Sequence, residues 1–269
     1  MFDIYMNRWN LIPDGEPFKT HTSQLLPVMK DGTKAMLKLT HDEDEQIGSN
    51  LMGWWDGEGA AKVLAHHDGA LLMERATGSE SLTNLSRTGD DDKACRIICT
   101  VANRLHTSQQ KALPALTPLS HWFRALEPMA QTYGGILTHC NRAAQILLSA
   151  PRDVVALHGD LHHANILHFG AQGWLAIDPK GLIGERGFDY ANMFTNPDLA
   201  DPNPPVAIIS ERFAKRLAIV TEMARLDRER MLLWIMAWCG LSTVWFLEEG
   251  NEAPITLQVA KLALTELER

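Results

Sequence analysis

The sequence predicts an α+β fold, with a small β-rich part first and a larger, mainly helical part after it. Three observations carry this. An Asp31-Gly32 pair stands between two apolar runs in LLPVMKDGTKAMLKL, a strong hairpin signal. From about Lys93 onward the apolar residues recur at helical spacing. Inside that helical part, residues 165–169 and 174–177 are β-prone and flank a turn at Gly170–Gly173, a small β insertion.

Taken in order, strands are expected near 24–30 and 33–39. HDEDEQIGSNLMGWW follows; its acidic start suits a helix N-terminus, and Ile47, Leu51, Trp54 and Trp55 fall at helical spacing. Two short strands are expected at 61–65 and 70–74, around the turn His67-Asp68-Gly69. TGSESLTNLSRTGDDD is polar and rich in Gly, Ser and Thr, and marks the boundary between the two parts. Ile97, Ile98, Val101, Ala102 and Leu105 then line one helix face. Pro114 and Pro118 break the next stretch, and helices are expected over about 121–133 and 136–149, ended by Pro151. The tail is helical over roughly 207–224, 228–248 and 255–268, with Gly250 and Pro254 as stops.

Composition narrows the function classes. Lys and Arg number 25 against 33 Asp and Glu, a net charge of −8. Bulk charge therefore argues against nucleic acid or an anionic membrane as partner. A single anion such as a phosphate can still be held by local basic groups. The four cysteines, Cys95, Cys99, Cys140 and Cys239, form no C-x-x-C pair, which argues against a zinc site of usual spacing and against a disulfide framework. The start MFDIYMNRWN lacks the pattern of a signal peptide, and polar residues interrupt the apolar stretches before a span of ~20 residues. The expectation is a soluble, reduced, cytoplasmic protein.

The sharpest signal is His158-Gly159-Asp160-Leu161-His162-His163-Ala164-Asn165, followed by Ile177-Asp178-Pro179. Phosphoryl transfer needs one carboxylate to take the proton of the attacking hydroxyl. It also needs an amide oxygen and a second carboxylate to hold magnesium against the phosphates. Asp160 and Asn165 stand five residues apart on one loop, and a hairpin brings Asp178 back beside them. The three histidines beside Asp160 suggest a transition-metal site as an alternative. No further His or Cys follows at ligand spacing, so the kinase reading explains the loop better. His158 is expected to prop the loop by hydrogen bonding.

HGDLHHANIL followed by GWLAIDPKGLIGERGFDYANMF resembles the aminoglycoside phosphotransferase superfamily. The longer pattern IDPKGLIGE-x-GFD-x-A resembles more narrowly its streptomycin 6-phosphotransferase and hydroxyurea kinase branch. The resemblance is carried chiefly by residues 155–194 and covers most of the chain. It implies a protein-kinase-like fold of two lobes, a nucleotide-binding lobe over 1–76 and a helical lobe with the acceptor site over 77–269. It implies ATP and Mg2+, transfer of the γ-phosphate to a hydroxyl of an aminoglycoside, and antibiotic resistance as the outcome. Lys38, in Gly32-Thr33-Lys34-Ala35-Met36-Leu37-Lys38, matches the strand lysine on the α- and β-phosphates, although Lys34 is near. Its helix partner is expected to be Glu45, with Glu43 second. Leu72-Met73-Glu74-Arg75-Ala76 matches the hinge, where backbone at Glu74 and Ala76 would meet adenine. A glycine-rich phosphate loop is absent; Thr20-His21-Thr22-Ser23-Gln24 takes its place, with Ser23 as the phosphate contact. Asp189 is expected to brace the catalytic loop. Arg186 and Lys180 read as phosphate sensors or as ordinary salt bridges.

The acceptor is less well marked. Trp234, Trp238 and Trp245 share one helical face, which is core more often than pocket, although tryptophan also stacks on sugars and guanidinium groups. Glu248 and Glu249 end that helix; facing the cleft, they favour a cationic acceptor such as streptomycin, and facing solvent they are a hydrated helix end. A kinase of another small alcohol, such as a sugar or amino alcohol, is the same-class alternative. A nucleotide-binding pseudokinase is the other, and intact Lys38, Asp160, Asn165 and Asp178 argue against it.

Overall fold

The computed structural model of the protein describes residues 2–20, 22–107 and 111–269. A short helix, α1 (Phe2–Arg8), precedes a six-stranded sheet. Its strands are β1 (Ile12–Pro13), β2 (Phe18–Lys19), β3 (Ser23–Lys30), β4 (Thr33–Thr40), β5 (Val63–His67) and β6 (Ala70–Glu74). The order is β1-β3-β4-β6-β5, with β2 also paired to β3, and every pairing is antiparallel. Both hairpin turns follow from their residues. Asp31 and Gly32 take φ of 49° and 79°, and Asp68 and Gly69 take 46° and 75°. Two consecutive positive φ values match the twist of the strands, and Asp and Gly tolerate them best.

The sheet has two different faces. Leu26, Val28, Ala35, Leu37, Leu39, Ala70 and Leu72 bury one of them under Phe2, Tyr5, Met6 and Trp9. The other carries Lys38, with Leu25 and Leu71 directly opposite it, flanked by Ser23 against Thr40 and by Met36 against Pro27 and Met73. Leu71 and Met73 on this face join the main core.

Between β4 and β5 lies α2 (Glu43–Trp55), capped by the Asp42 carboxylate, which accepts from the Glu45 N–H at 3.0 Å. Its buried face, Leu51, Met52 and Trp55, packs on the helical part, and Trp55 Nε1 donates to the Leu105 carbonyl at 3.0 Å. Just beyond it, Ala61 N–H donates to Ala176 O and Ala176 N–H to Gly59 O, both at 2.9 Å.

The helical part runs α3 (Leu82–Arg87), α4 (Asp91–Leu105), β7 (Thr117–Pro118), α5 (Leu119–Trp122), α6 (Leu126–Tyr133) and α7 (Ile136–Ser149). It continues with β8 (Val154–Leu157), β9 (Ile166–His168), β10 (Trp174–Ala176), β11 (Leu182–Glu185), α8 (Gly187–Ala191), α9 (Ser210–Ala224), α10 (Arg228–Glu248) and α11 (Pro254–Leu267). β9 and β10 form a hairpin, and β7, β11 and β8 a small separate sheet. α10 is apolar all round because α7, α8 and α11 enclose it.

Four features depart from the sequence reading or add to it. The strand expected at 61–65 lies at Val63–His67, because Ala61 is engaged with Ala176. The polar stretch read as the boundary between the two parts contains α3 and the start of α4. Its polar groups cap and bury: Ser81 caps α3, and Ser86 and Asp91 meet the guanidinium of buried Arg216. Arg216 donates twice to Asp91, at 2.6 and 2.9 Å, and to the Met193 and Asn196 carbonyls at 2.6 and 2.7 Å. Burial opposes ionisation of Asp91, but this guanidinium outweighs it and holds the carboxyl below its usual range. Third, α10 is long and apolar enough to cross a membrane by length and composition; here 72% of its apolar window is buried in the protein. Last, α1 and the short strands β1, β2, β7, β8 and β11 have no counterpart in the sequence reading, being too short to show a period.

Candidate active site

Two chain segments run side by side to build the site. One leaves β8 as the loop His158–Asn165. The other is the turn between β10 and β11, Ile177–Gly181. The backbone ties them: Ile177 N–H donates to Asn165 O at 2.9 Å, and Lys180 N–H to His158 O at 2.7 Å. His158 is wholly buried and stacks on Trp55 at 6.3 Å between ring centres. Burial keeps its pKa below that of a free histidine despite the nearby carboxylates. A neutral ring suits its contacts, since Nε2 faces the Ile177 carbonyl at 2.9 Å while Nδ1 accepts from the Asp160 N–H at 3.2 Å. Asp189 accepts from the backbone N–H groups of both His158 and Gly159 at 2.8 Å. It braces the loop by backbone hydrogen bonds, as expected.

Two carboxamides fix the Asp160 side chain. Asn165 Nδ2 donates to its Oδ2 at 3.1 Å and to its carbonyl at 2.9 Å, and Asn192 Nδ2 donates to Oδ1 at 2.7 Å. Burial works against ionisation of Asp160. The facing His162 ring, 3.6 Å away, with Lys180 and His158 beyond it, outweighs this and holds the carboxyl well below its usual range. Asn192 is buried and has its own orientation set, because Asn196 Nδ2 donates to its Oδ1 at 2.8 Å. Asn192 was not singled out in the sequence; its only signal is a lone amide among the apolar residues of FDYANMF.

Lys38 reaches both Glu45 and Asp178. Glu43, the second candidate partner, is exposed. Glu45 is buried, and its other oxygen holds Lys180 at 2.5 Å. Asp178 adopts φ 62°, a left-handed conformation that aspartate tolerates better than most residues. Burial raises the pKa of its carboxyl, but Lys38 and Lys180 more than offset this and hold it below the usual range. Asn165 Oδ1 has no hydrogen-bond partner among the described residues.

The other expected residues fall out unevenly. Ser23 lies on the Lys38 face, two positions further along the strand register; its hydroxyl is buried with no partner among the described residues, and the neighbouring Thr22 lines the cleft. His21 of that loop lies outside the described residues. Glu74 is at the expected strand end, yet its N–H is spent on Lys62 O at 2.9 Å and its carboxylate on Gln172 at 3.0 Å. The N–H of Ala76, in the link beyond β6, donates to no backbone carbonyl among the described residues. Arg186 points away, donating to the Ala224 carbonyl at 2.7 Å, so it is a brace.

The cleft that opens from Asp160 has a volume of about 540 Å³. Trp122, Trp238 and Trp245 wall it, and the carboxylates of Asp42, Asp44 and Glu248 line it. Trp122 and Trp245 meet edge to face at 5.2 Å, and Trp238 meets Trp245 at 5.7 Å. Trp234, by contrast, is core: it is buried and donates to Glu185 at 2.8 Å. Glu249 is not among the residues lining this cleft. Among the described residues no group of three or more His, Cys, Asp or Glu is set to hold a metal ion.

Residues 8–250 match the model of a family described as aminoglycoside/hydroxyurea antibiotic resistance kinase. The chain is 51% identical to a streptomycin 3''-kinase from Klebsiella pneumoniae over 91% of its own length and 92% of that protein's. It is 32% identical to a streptomycin 6-kinase from Streptomyces griseus, over 95% of this chain and 85% of the other. Among solved structures it superposes on a thermostable mutant of aminoglycoside phosphotransferase APH(4)-Ia, in ternary complex with ADP and hygromycin B. The TM-score is 0.68 at 11% identity, with 99% of this chain and 97% of that one covered. At that identity the likeness establishes the fold, which is protein-kinase-like, as the sequence motifs implied.

Proposed function

The chain belongs to the aminoglycoside/hydroxyurea antibiotic resistance kinase family, and from that premise we propose that it transfers the γ-phosphoryl group of ATP to a hydroxyl of streptomycin. We assign residues 1–76 to the nucleotide and 77–269 to the acceptor. The observation that carries this reading is the cleft itself. Asp160 opens into a space walled by three tryptophans and lined by four further carboxylates, those of Asp42, Asp44, Glu45 and Glu248. Guanidinium groups are stabilised by both: carboxylates offer charge, and tryptophan faces offer cation–π contact. Streptomycin carries two such groups.

In this reading Asp160 orients the acceptor hydroxyl. The acceptor oxygen bonds to the γ-phosphorus, the bond to the β–γ bridging oxygen breaks with its electron pair leaving on ADP, and the hydroxyl proton passes to Asp160. The transition state is loose, so positioning and electrostatics supply most of the rate. Asn165 and Asn192 serve that positioning by holding the carboxylate. Lys38 holds the α- and β-phosphates and Glu45 holds Lys38. The Lys38 face of the sheet, with Leu25, Met36, Leu71 and Met73, offers an apolar bed for the base, and the Ala76 backbone its polar edge. Ser23 contributes at the phosphate end of that face.

Asn165 and Asp178 suit magnesium. Both offer hard oxygens, the Asn165 oxygen accepts no hydrogen bond among the described residues, and Mg2+ binds through one or two protein oxygens, phosphate and water rather than in a protein cage. Bound there, the ion would neutralise phosphate charge.

The site of phosphorylation is proposed as the 3''-hydroxyl. The motif branch points to position 6, but the relative named for 3'' is 51% identical and the one named for 6 is 32%. The test incubates the purified chain with ATP, magnesium and streptomycin. The expected result is ADP release and a product carrying one phosphoryl group, mapped to the 3'' position by NMR. A product phosphorylated at position 6 would overturn the regiochemistry alone. Unmodified streptomycin after long incubation would overturn the acceptor.

A further inference from the structure

Two cations line the acidic cleft, the exposed Arg124 and the part-buried Lys180, and the second has no obvious use for a cationic acceptor. Lys180 lines it beside Gly159 and Asp160. A fixed ammonium there repels a guanidinium group, so it works against the binding that Asp42, Asp44 and Glu248 favour. Its ion pairs do not require this position. Asp178 already has Lys38, and Glu45 has Lys38 as well.

The placement of Lys180 is nevertheless tightly specified. Its backbone N–H is bonded to His158 O at 2.7 Å, and its Nζ lies 2.5 Å from Glu45 Oε1 and 3.8 Å from Asp178 Oδ2. The turn that carries it is docked on α2 through two glycines. A methyl group at Gly48 would lie 1.8 Å from the Pro179 carbonyl oxygen, and one at Gly181 would lie 2.4 Å from Ile47 Cγ2. Gly181 also takes φ 66°. On the other side, a methyl at Gly159 would lie 3.1 Å from Lys180 Cβ. Three glycines thus let the chain come close on both sides of one lysine, which lines the same cleft as Asp160.

We propose that Lys180 is the cation that meets the γ-phosphoryl group in transfer, so that two lysines divide the triphosphate between them. Lys38 serves the part that stays on ADP, and Lys180 serves the part that leaves. The inference rests on the kinase reading above. Lys180 stands between the carboxylate that receives the proton, Asp160, and the carboxylate assigned to the metal, Asp178. The migrating phosphoryl group must pass between those two. Its charge spreads over three oxygens as it moves, and a preorganised ammonium in a partly desolvated cleft stabilises that state more than the ground state. Glu45 then has a double task, since each of its oxygens aims one lysine. A cation facing the acceptor cleft is tolerable because the phosphoryl group, when present, lies between it and the acceptor.

The test separates the γ-phosphate from the rest of the nucleotide. Magnesium complexes of ADP and of the non-hydrolysable analogue AMP-PNP are titrated calorimetrically into the parent, K180M and K180R, and steady-state kinetics are measured with streptomycin. For K180M, ADP affinity is expected within about twofold of the parent, while AMP-PNP affinity falls about tenfold and kcat about 10²–10³-fold, as for loss of a transition-state charge contact. The acceptor KM should hold or fall, because a repelling charge has gone. K180R should recover part of kcat. A purely structural ion pair predicts a different result, with ADP and AMP-PNP weakened alike and the acceptor KM raised. That outcome, or a kcat within threefold of the parent, overturns the proposal and leaves the kinase reading intact. A parent that binds neither nucleotide overturns both. A second measurement needs no variant: acetylation of the parent's lysines is followed by peptide mass spectrometry. Lys180 should be protected by AMP-PNP and not by ADP, and equal protection by both would also overturn the assignment.

Discussion

Asp160 is fastened at each oxygen by a different amide, and this decides what its substitution does. Asp160→Asn keeps the shape but cannot take a proton and places a third amide against the two that donate to this position. Turnover should fall ~10²-fold or more, the usual worth of a positioned base. ADP affinity should be unchanged by calorimetry, since no nucleotide group is assigned to Asp160. A kcat near that of the parent would remove it from the role. Two other carboxylates govern stability. Asp91 faces Arg216, and Glu185 faces Arg230 and Trp234. For each, burial opposes the charge and the hydrogen-bonded partners more than restore it, so the folded pKa lies below the ordinary 3.8 and 4.5. A depressed carboxyl adds stability that is complete above its unfolded value and lost as the pH falls through its folded one. The melting temperature should therefore be level from neutrality to about pH 5 and drop steeply below 4.5. In Glu185→Gln the neutral-pH value should be lower and the acid slope shallower, as read by circular dichroism.

At the scale of elements, α2 is the part on which most depends. Its N-terminal turn supplies Glu45, its middle packs backbone to backbone on the 178–181 turn, and its end is bonded to Leu105. Gly48→Ala places a methyl against a carbonyl that cannot rotate away. The expected cost is that of overpacking, about 1–3 kcal/mol, together with loss of turnover as Glu45 shifts. Thermal melting and kcat, measured on one preparation, check both; an unchanged pair would show that α2 and the turn can part. The elements easiest to read in the sequence were those with local chemistry. The two Asp-Gly turns fix the strands beside them, and α10 and α11 carry long apolar periods between stops. What escaped was set by distant partners. Ser86 and Asp91 look like linker residues because Arg216 is more than a hundred positions away. Asn192 looks like a stray polar residue until the fold brings Asp160 to it. Asp160, Asn165 and Asp178 were legible because loop and hairpin keep them close in the chain as well as in space.

For the whole molecule, the proposed acceptor cleft is lined by residues far apart in the chain. Asp42 and Asp44 come from the entry to α2, and Glu248 comes from the last turn of α10. Exposed charges act within roughly a Debye length, ~8 Å at physiological salt. Glu248→Gln should raise the acceptor KM several-fold at low salt and less as salt is added, with the ATP KM unmoved. Glu249→Gln should change neither. Equal acceptor KM in Glu248→Gln and the parent at low salt would take that carboxylate out of recognition.

The tryptophan wall has a consequence for how such a protein can change its substrate. Trp238 is nearly fully buried, donates to Thr195 at 3.1 Å and packs edge to face on Phe188 at 5.7 Å. The surface proposed to meet the acceptor is thus the outer layer of the core. A substitution there that admits a differently shaped antibiotic also opens a cavity, and a truncated buried aromatic costs ~3–5 kcal/mol, much of a domain's margin. Asp44 and Glu248 carry no such burden, whereas Asp42 also caps α2. Selection for a new acceptor can act freely on the charged rim, by charge and reach. Reshaping the wall requires stabilising changes elsewhere to come first.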